Sequence, residues 1–390
     1  MNIALLFAGQ GVKIDPDIIK EWECDTNCKN IIEIGEKYMK EKFSELVTKE
    51  NGDPRQIQFI SLISSLCMYE LYKRYVGIYP SQLLGHSLGE IAALTISGAI
   101  DIEEAFKLVD SRATAMKQAI EGNNVETGMM AIFSDLTEVK KLIRNTNCTI
   151  SNINSEKQIV ISGEVGELKS IKEKSNGVIL SAPGAFHSKH MDDASKSFYN
   201  NTIKTTQFND TCISVVKNRT ADVYKSDDNF VEELALQMKS TVRWLDSMEY
   251  SNYHGVDFFV DLSPNGLFKK MFESTCYKVL CLQDIRKDKN LMLEVDSNSN
   301  YSPFDKALGI IVSQKNNNSD MTIYNDVVVN GYKEIKNMGS KENPSEDDYL
   351  KLRELVQLIL ITKGLSKADQ DSCIHRMNFE IQRCVYKNTQ

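Results

Sequence analysis

The sequence predicts an α/β protein: a parallel sheet with helices on both faces, an inserted β-α-β-β-α-β subdomain, and a helical C-terminal segment. Three observations predict it. Residues 82–90 run from apolar strand through sharp turn to helix, with Gly85-His86-Ser87-Leu88-Gly89 at the turn. Apolar runs at 2–8, 256–260 and 278–282 alternate with helical stretches, as in a parallel sheet covered on both sides. Between them, residues 129–181 read strand, helix, strand, strand, helix, strand, the order of a small ferredoxin-like domain.

Taken in order, residues 2–8 form a compact apolar run that ends in Gly9-Gln10-Gly11, a central strand feeding a glycine loop. The third glycine of a dinucleotide fingerprint is missing, with Ile14 in its place. The plain reading of the loop is a strand-ending turn. The functional one is a backbone N–H, at Gln10, near the end of a second strand. Residues 30–49 have an apolar side of Ile31, Ile32, Ile34, Tyr38, Met39 and Phe43 and predict an amphipathic helix. Asp53-Pro54 opens the next helix, with Asp as N-cap and Pro at the first helical position. Gln58 on it reads either as solvated or as facing a pocket. Gly98 closes the helix after residue 88, and Asp101 caps another that runs to about residue 120. Arg112 falls on the apolar face of that last helix, where burial requires an anion. Position alone favours the plainer alternative, a side chain that reaches the surface or pairs with Asp110 or Glu121.

Gly-x-Ser-x-Gly between a strand and a helix is the pattern of a nucleophile elbow. The two glycines let the backbone bend sharply and put Ser87 at the apex. The following helix start offers unpaired N–H groups where an oxyanion would form. A serine nucleophile needs a base, and the chain has five histidines. His86 adjoins the serine and points elsewhere on a tight turn; His254 sits in a turn and His375 in the charged tail. His187 and His190 remain, on a loop after Pro183-Gly184, where strand-end loops commonly carry function.

Composition excludes several classes. The net charge of −8, with no concentrated basic patch, argues against nucleic-acid binding. Nine scattered cysteines show neither zinc spacing nor a disulfide framework, so reduced thiols and a cytoplasmic location are expected. No run reaches membrane-spanning length, and residues 2–8 read as a buried strand, not as a signal peptide. Beyond Arg286, residues 296–301 and 315–319 have linker composition. Helices are expected at 304–313, 322–337, 346–362 and 367–386, with Leu350, Leu352, Leu355, Leu358 and Leu360 on an apolar side. The plain reading packs them on the main domain; the sharper one makes them a docking surface for a synthase or carrier protein.

Residues 1–284 resemble malonyl-CoA:acyl carrier protein transacylases and the acyltransferases of polyketide synthases. The matching pieces occur in the family's order. They are Phe7-Ala8-Gly9-Gln10-Gly11, the elbow with Glu90 after it, and Arg112 in Ser-Arg-Ala-Thr-Ala-Met. Further on come Asn152-Ile153-Asn154 before Gln158-Ile159-Val160, Ala185-Phe186-His187-Ser188, and Val242-Arg243-Trp244. Ala-Phe-His followed by Met191 is most similar to free-standing, malonyl-selective enzymes that serve synthases in trans. The resemblance implies an α/β-hydrolase-like core at 1–122 and 188–286; with the ferredoxin-like subdomain read at 123–187, this leaves a helical extension at 287–390 that departs from the shorter transacylases. It implies Ser87 as nucleophile, His187 as base, and the N–H groups of Gln10 and Leu88 as the oxyanion hole. It also implies that Arg112 holds the malonyl carboxylate, against the reading from position alone. Gln58, His86 and Phe186 would line the substrate site. A main-chain carbonyl near Arg243 would orient the histidine. The substrates would be malonyl-CoA and a phosphopantetheinylated acyl carrier protein, with no metal, no other cofactor, no nucleic acid and no membrane. The alternative is an acyl-thioester hydrolase that clears stalled carrier proteins; it has little use for a carboxylate clamp.

Overall fold

The computed structural model describes residues 2–11, 13–47, 53–202, 204–288, 302–341 and 344–388. They divide into two units. One is Met1–Tyr69 with Ser81–Gln283; the other is Glu70–Pro80 with Asp284–Gln390.

The first unit is built on a five-stranded, all-parallel sheet. Its strands are β1 (Ile3–Phe7), β2 (Gln82–Gly85), β7 (Ser214–Val216), β8 (Phe258–Asp261) and β9 (Val279–Cys281). Their spatial order is β7-β2-β1-β8-β9. β1 and β2 are buried along their whole length, which is why β1 reads as an unbroken apolar run and β2 as a short one after Gln82. Three neighbouring strands therefore deliver their C-terminal ends side by side: Phe7 leads to Gly9, Gly85 to Ser87, and Val216 to Asn218. The crevice beyond such ends is where open α/β sheets bind ligands. Helix Pro54–Tyr75 begins after Asp53, whose carboxylate accepts from Arg55 N–H at 2.8 Å. Asp101 likewise caps helix Ile102–Glu121, accepting from Glu104 N–H at 2.8 Å. The run read as one helix over 30–49 is two, Thr26–Met39 and Phe43–Leu46, broken at Lys40 with φ 60°; residue 49 lies outside the described residues. Helices Pro16–Cys24 and Asp192–Thr202 and strand β7 have no counterpart in the sequence reading.

Between the elbow helix and His187 lies a second sheet. It comprises β3 (Thr127–Ile132), β4 (Thr149–Ser155), β5 (Gln158–Glu164) and β6 (Val178–Ile179), in the order β4-β5-β3-β6. All its pairings are antiparallel. Helices Leu136–Ile143 and Val165–Lys172 share its core of Met130, Ile132, Val139, Ile159, Ile161 and Leu168.

In the second unit, helices Pro303–Ser313 and Glu346–Thr362 each start with a reciprocal capping box, Ser302 with Asp305 and Ser345 with Asp348. A π-helical stretch, Tyr324–Val329, joins Met321–Ile323 to Asn330–Met338, and Lys367–Asn388 follows. These helices bury a core of their own around Phe304, Ile335, Leu352, Val356, Ile359 and Met377. The five leucines do not share one side. Leu352 and Leu360 are fully buried, whereas Leu350 and Leu358 are half exposed, because helical periodicity turns them about a third of a circle or more away from the buried stripe. The linker at 296–301 lies outside the described residues. No helix among the described residues is long and apolar enough to cross a membrane.

Candidate active site

The elbow is forced by contacts local to it. A Cβ on Gly85 would lie 2.0 Å from the Gly89 carbonyl, and one on Gly89 would lie 2.4 Å from Phe7 O. Ser87 itself takes a left-handed backbone with φ 53°. That is unfavourable for a residue with a Cβ and is the conformation that lifts its side chain clear of the turn. Asn218 holds it there, its Oδ1 accepting from Ser87 N–H at 2.6 Å while its Nδ2 donates to Gly85 O at 2.6 Å.

His187, 100 residues away in sequence, meets the serine. Its Nε2 lies 2.8 Å from Ser87 Oγ, and its Nδ1 lies 2.9 Å from Gln237 O. A carbonyl only accepts, so Nδ1 carries the proton and Nε2 presents its lone pair to the hydroxyl. His187 also has a left-handed backbone, φ 54°, secured by its N–H donating to Met238 O at 3.0 Å. Burial pushes its pKa down to about 3, with the nearby Arg112 charge adding to the effect. The ring is therefore neutral at ordinary pH.

Arg112 is buried, at 3% exposure, and its guanidinium donates to Gln58 Oε1 at 2.7 Å and to Ser87 Oγ at 3.2 Å. This overturns the pairing with Asp110 or Glu121 that position alone favoured: Asp110 instead pairs with Arg55. Burial lowers the Arg112 pKa to about 10, so it stays charged at neutral pH, and the Glu90 carboxylate favours that charge. Gln58 is fully buried, not solvated, and its amide also reaches Met116 Sδ at 3.6 Å.

Gly9 brings the first strand's loop against the elbow: a Cβ there would lie 2.9 Å from His86 O and 3.6 Å from Ser87 Cβ. Gln10 follows it, half-buried, and Leu88 is the cap residue of helix Gly89–Ile96. Among the described residues, neither the Gln10 nor the Leu88 N–H has a hydrogen-bond acceptor. Two free donors, one in the loop against the elbow and one on the residue after the serine, are of the kind that suits a developing oxyanion.

The remaining expected residues make hydrogen bonds elsewhere. His86 turns to the second sheet, its Nε2 2.9 Å from Asn154 Oδ1 and its ring edge-on to Trp244 at 5.3 Å. Phe186 is buried, and its carbonyl accepts from Ser162 Oγ at 2.6 Å. Arg243 does not supply the carbonyl for His187. Gln237 does, six residues earlier at the end of helix Phe230–Gln237, while the exposed Arg243 side chain binds Asp246 at 2.6 Å. Its own carbonyl is taken by Ser247, as the first turn of helix Trp244–Tyr253 requires.

Three residues that the sequence reading gave no place in the site complete it. Asn218 and Gln237 touch both Ser87 and the buried carboxylate of Glu90, and Tyr224 caps that carboxylate from the other side. Glu90 was visible only as the residue after the elbow. Among the described residues no group of three or more His, Cys, Asp or Glu side chains could hold a metal ion.

A hydroxyl, a neutral imidazole, a buried guanidinium and two free N–H groups can form and resolve a serine ester of a substrate bearing a carboxylate. Known proteins agree in kind. The acyl transferase domain model matches residues 37–294. The chain is 28% identical to a malonyl CoA-acyl carrier protein transacylase of Bacillus subtilis over 295 residues, 69% of this chain and 72% of that one. It is 32% identical to the enzyme of that name from Synechocystis sp. over 206 residues, 51% of this chain and 68% of the other. The malonyl-CoA:acyl carrier protein transacylase structure from Helicobacter pylori superposes with a TM-score of 0.67 at 26% identity, covering 77% of this chain and 99% of that one. With a model match across more than half its length, the chain belongs to the acyl transferase domain family.

Proposed function

We propose that the chain transfers a malonyl group from malonyl-CoA to the phosphopantetheine thiol of an acyl carrier protein, through an ester on Ser87. The observation that carries this reading is that one oxygen, Ser87 Oγ, lies 2.8 Å from a neutral imidazole nitrogen and 3.2 Å from a buried guanidinium. The relatives supply the substrate pair, being malonyl CoA-acyl carrier protein transacylases.

In the first half-reaction His187 Nε2 takes the Ser87 proton as Oγ attacks the thioester carbonyl. The N–H groups of Gln10 and Leu88 receive the oxyanion. The C–S bond then breaks, and His187 returns the proton to the departing CoA thiolate. In the second half the carrier's thiol gives its proton to His187, its sulfur attacks the seryl ester, and Ser87 leaves with that proton. The bonds made and broken are thioester for thioester, so the overall step is near thermoneutral and water exclusion decides the outcome. Arg112 holds the malonyl carboxylate, and Gln58 holds Arg112. The antiparallel sheet, on its element order and its strand order β4-β5-β3-β6, is read as a ferredoxin-like insert beside the cleft. No observation favours the hydrolase alternative.

Incubation with malonyl-CoA followed by intact-mass measurement tests the proposal. A malonyl adduct is expected on the wild-type chain and none on Ser87→Ala, and holo carrier protein should discharge it into malonyl-carrier. Discharge to free malonate with the carrier untouched would overturn it.

A further inference from the structure

Glu90 is 1% exposed, and among the described residues no cation hydrogen-bonds to it. Three donors converge on its carboxylate: Tyr224 OH on Oε1 at 2.6 Å, and Gln237 Nε2 and Asn218 N–H on Oε2 at 2.9 and 3.2 Å. Two of them lead directly to the reacting groups. The same Gln237 nitrogen donates to Ser87 O at 2.8 Å, and the Gln237 main-chain carbonyl receives His187 Nδ1–H. The Asn218 side chain brackets the elbow at Ser87 N–H and Gly85 O. Gln237 Oε1 is buried with no partner. Its amide is thus turned by what its nitrogen gains, two acceptors, and one of these is Glu90.

We propose that Glu90 is a positioning residue for the acyl transfer: as a buried hydrogen-bond acceptor it locks Gln237 and Asn218, and through them sets the alignment of Ser87 with His187. This rests on the serine-ester reading above. The geometry makes acceptance, not charge, the requirement. A glutamine at this position can still accept from Gln237 and Asn218 through its oxygen, and its amide can donate to the Tyr224 oxygen, because a hydroxyl serves either way. Leucine there offers no acceptor at all. It leaves one N–H of the Gln237 amide and the Asn218 N–H without a buried partner, which a buried polar group does not tolerate without moving. Burial raises the Glu90 pKa to about 7, against the three hydrogen bonds and with Glu233 adding to the rise. The ionisable and charged groups that face it are Tyr224, Glu233 of helix Phe230–Gln237, and Arg112 of helix Ile102–Glu121.

The test is the single-turnover rate of malonyl-enzyme formation, read by intact mass on the full chain, for Glu90→Gln, Glu90→Leu, Gln237→Leu and the Glu90→Leu/Gln237→Leu pair. Glu90→Leu is expected to slow acylation by between about 10- and 100-fold, the scale of one lost charge-assisted hydrogen bond, with half-saturation by malonyl-CoA unchanged. Glu90→Gln should stay within about fivefold of the wild type, since only the assistance of the charge is lost. Gln237→Leu cuts the same link from its other end and keeps the carbonyl that binds His187, so it keeps the test alive if Glu90→Leu does not fold. It should slow acylation as Glu90→Leu does, and the double variant should be no slower than the slower single one. Losses that multiply in the double variant, a glutamine as slow as leucine, or Gln237→Leu at the wild-type rate would each overturn the positioning role. A wild-type chain that forms no adduct would instead overturn the serine-ester reading, so the two failures are distinct.

Discussion

Replacing Arg112 by alanine separates the two things its guanidinium does. One is the bond to Ser87 Oγ at 3.2 Å, which every acyl substrate shares. The other, on the proposed function, is recognition of a carboxylate, which malonyl has and acetyl lacks. Of the five N–H donors of an arginine, one is spent on Gln58 and one on Ser87, so a fork remains for an incoming anion. At 3% exposure, water replaces it poorly. Removing one member of a buried charge pair costs about 2–5 kcal/mol. That is a loss of roughly 30- to 5,000-fold in kcat/KM for malonyl-CoA at 1.36 kcal/mol per decade. The acetyl-CoA rate should fall only by what the Ser87 contact contributes, about tenfold or less for one ordinary hydrogen bond. The assay is the initial rate of acyl-carrier formation from each CoA ester, and the quantity that matters is the ratio of the two losses. Gln58 Oε1 loses its partner in the variant, at a stability cost of about 1–3 kcal/mol, so rates belong well below the variant's melting temperature. Equal losses with malonyl and acetyl would refute the carboxylate role, whatever their size.

Two further expectations follow from the same geometry. Gly9→Ala puts a Cβ 2.9 Å from His86 O, which must push the Gln10 loop off the elbow; single-turnover acylation should fall by up to about 100-fold if the Gln10 N–H serves the oxyanion, and a wild-type rate would remove it from that role. Stability against pH should carry two opposed signatures. His187 is held near 3 against an ordinary 6.5, so the unfolded chain binds a proton the folded chain does not; this contribution is complete above pH 6.5 and lost as pH falls toward 3. Glu90 is raised to about 7 from 4.5, so the folded chain keeps the extra proton; that contribution is complete below pH 4.5 and lost as pH rises through 7. Urea melts of Glu90→Gln should therefore show stability rising with pH more steeply than the wild type between 4.5 and 7, by about 1.4 kcal/mol per unit, and parallel curves would refute the Glu90 assignment.

What the sequence disclosed about this site depends on how far its parts lie apart along the chain. The elbow was legible because its pattern lies within five residues: Gly85 and Gly89 admit no Cβ, the first against the Gly89 carbonyl and the second against Phe7 O, and Ser87 stands between them. The helix starts at Asp53 and Asp101 were legible for the same reason, a cap being a contact between near neighbours. Arg112 was read the wrong way from position, because a helix face says that a side chain is buried but not what it meets. Its partners, Gln58 and Ser87, arrive on other elements. The carbonyl that orients His187 was placed at Arg243 and belongs to Gln237, and no side-chain pattern could have corrected this. A main-chain oxygen has no residue type, and which one meets Nδ1 is set by where the end of helix Phe230–Gln237 comes to rest. Asn218 was missed because β7 is three residues long, too short to show a period. Glu90 reads in sequence as an acidic residue in a first helical turn, where a solvated carboxylate favours the helix dipole. Only the sheet order β7-β2-β1, which brings the ends of β7 and β2 together, turns it into the acceptor that joins Asn218 to Gln237. The nucleophile is thus specified locally, and the geometry that would make it react is specified by the order of strands. A substitution at Ser87 should remove the chemistry, whereas one at Asn218, Gln237 or Glu90 should leave every reacting group present but misaligned.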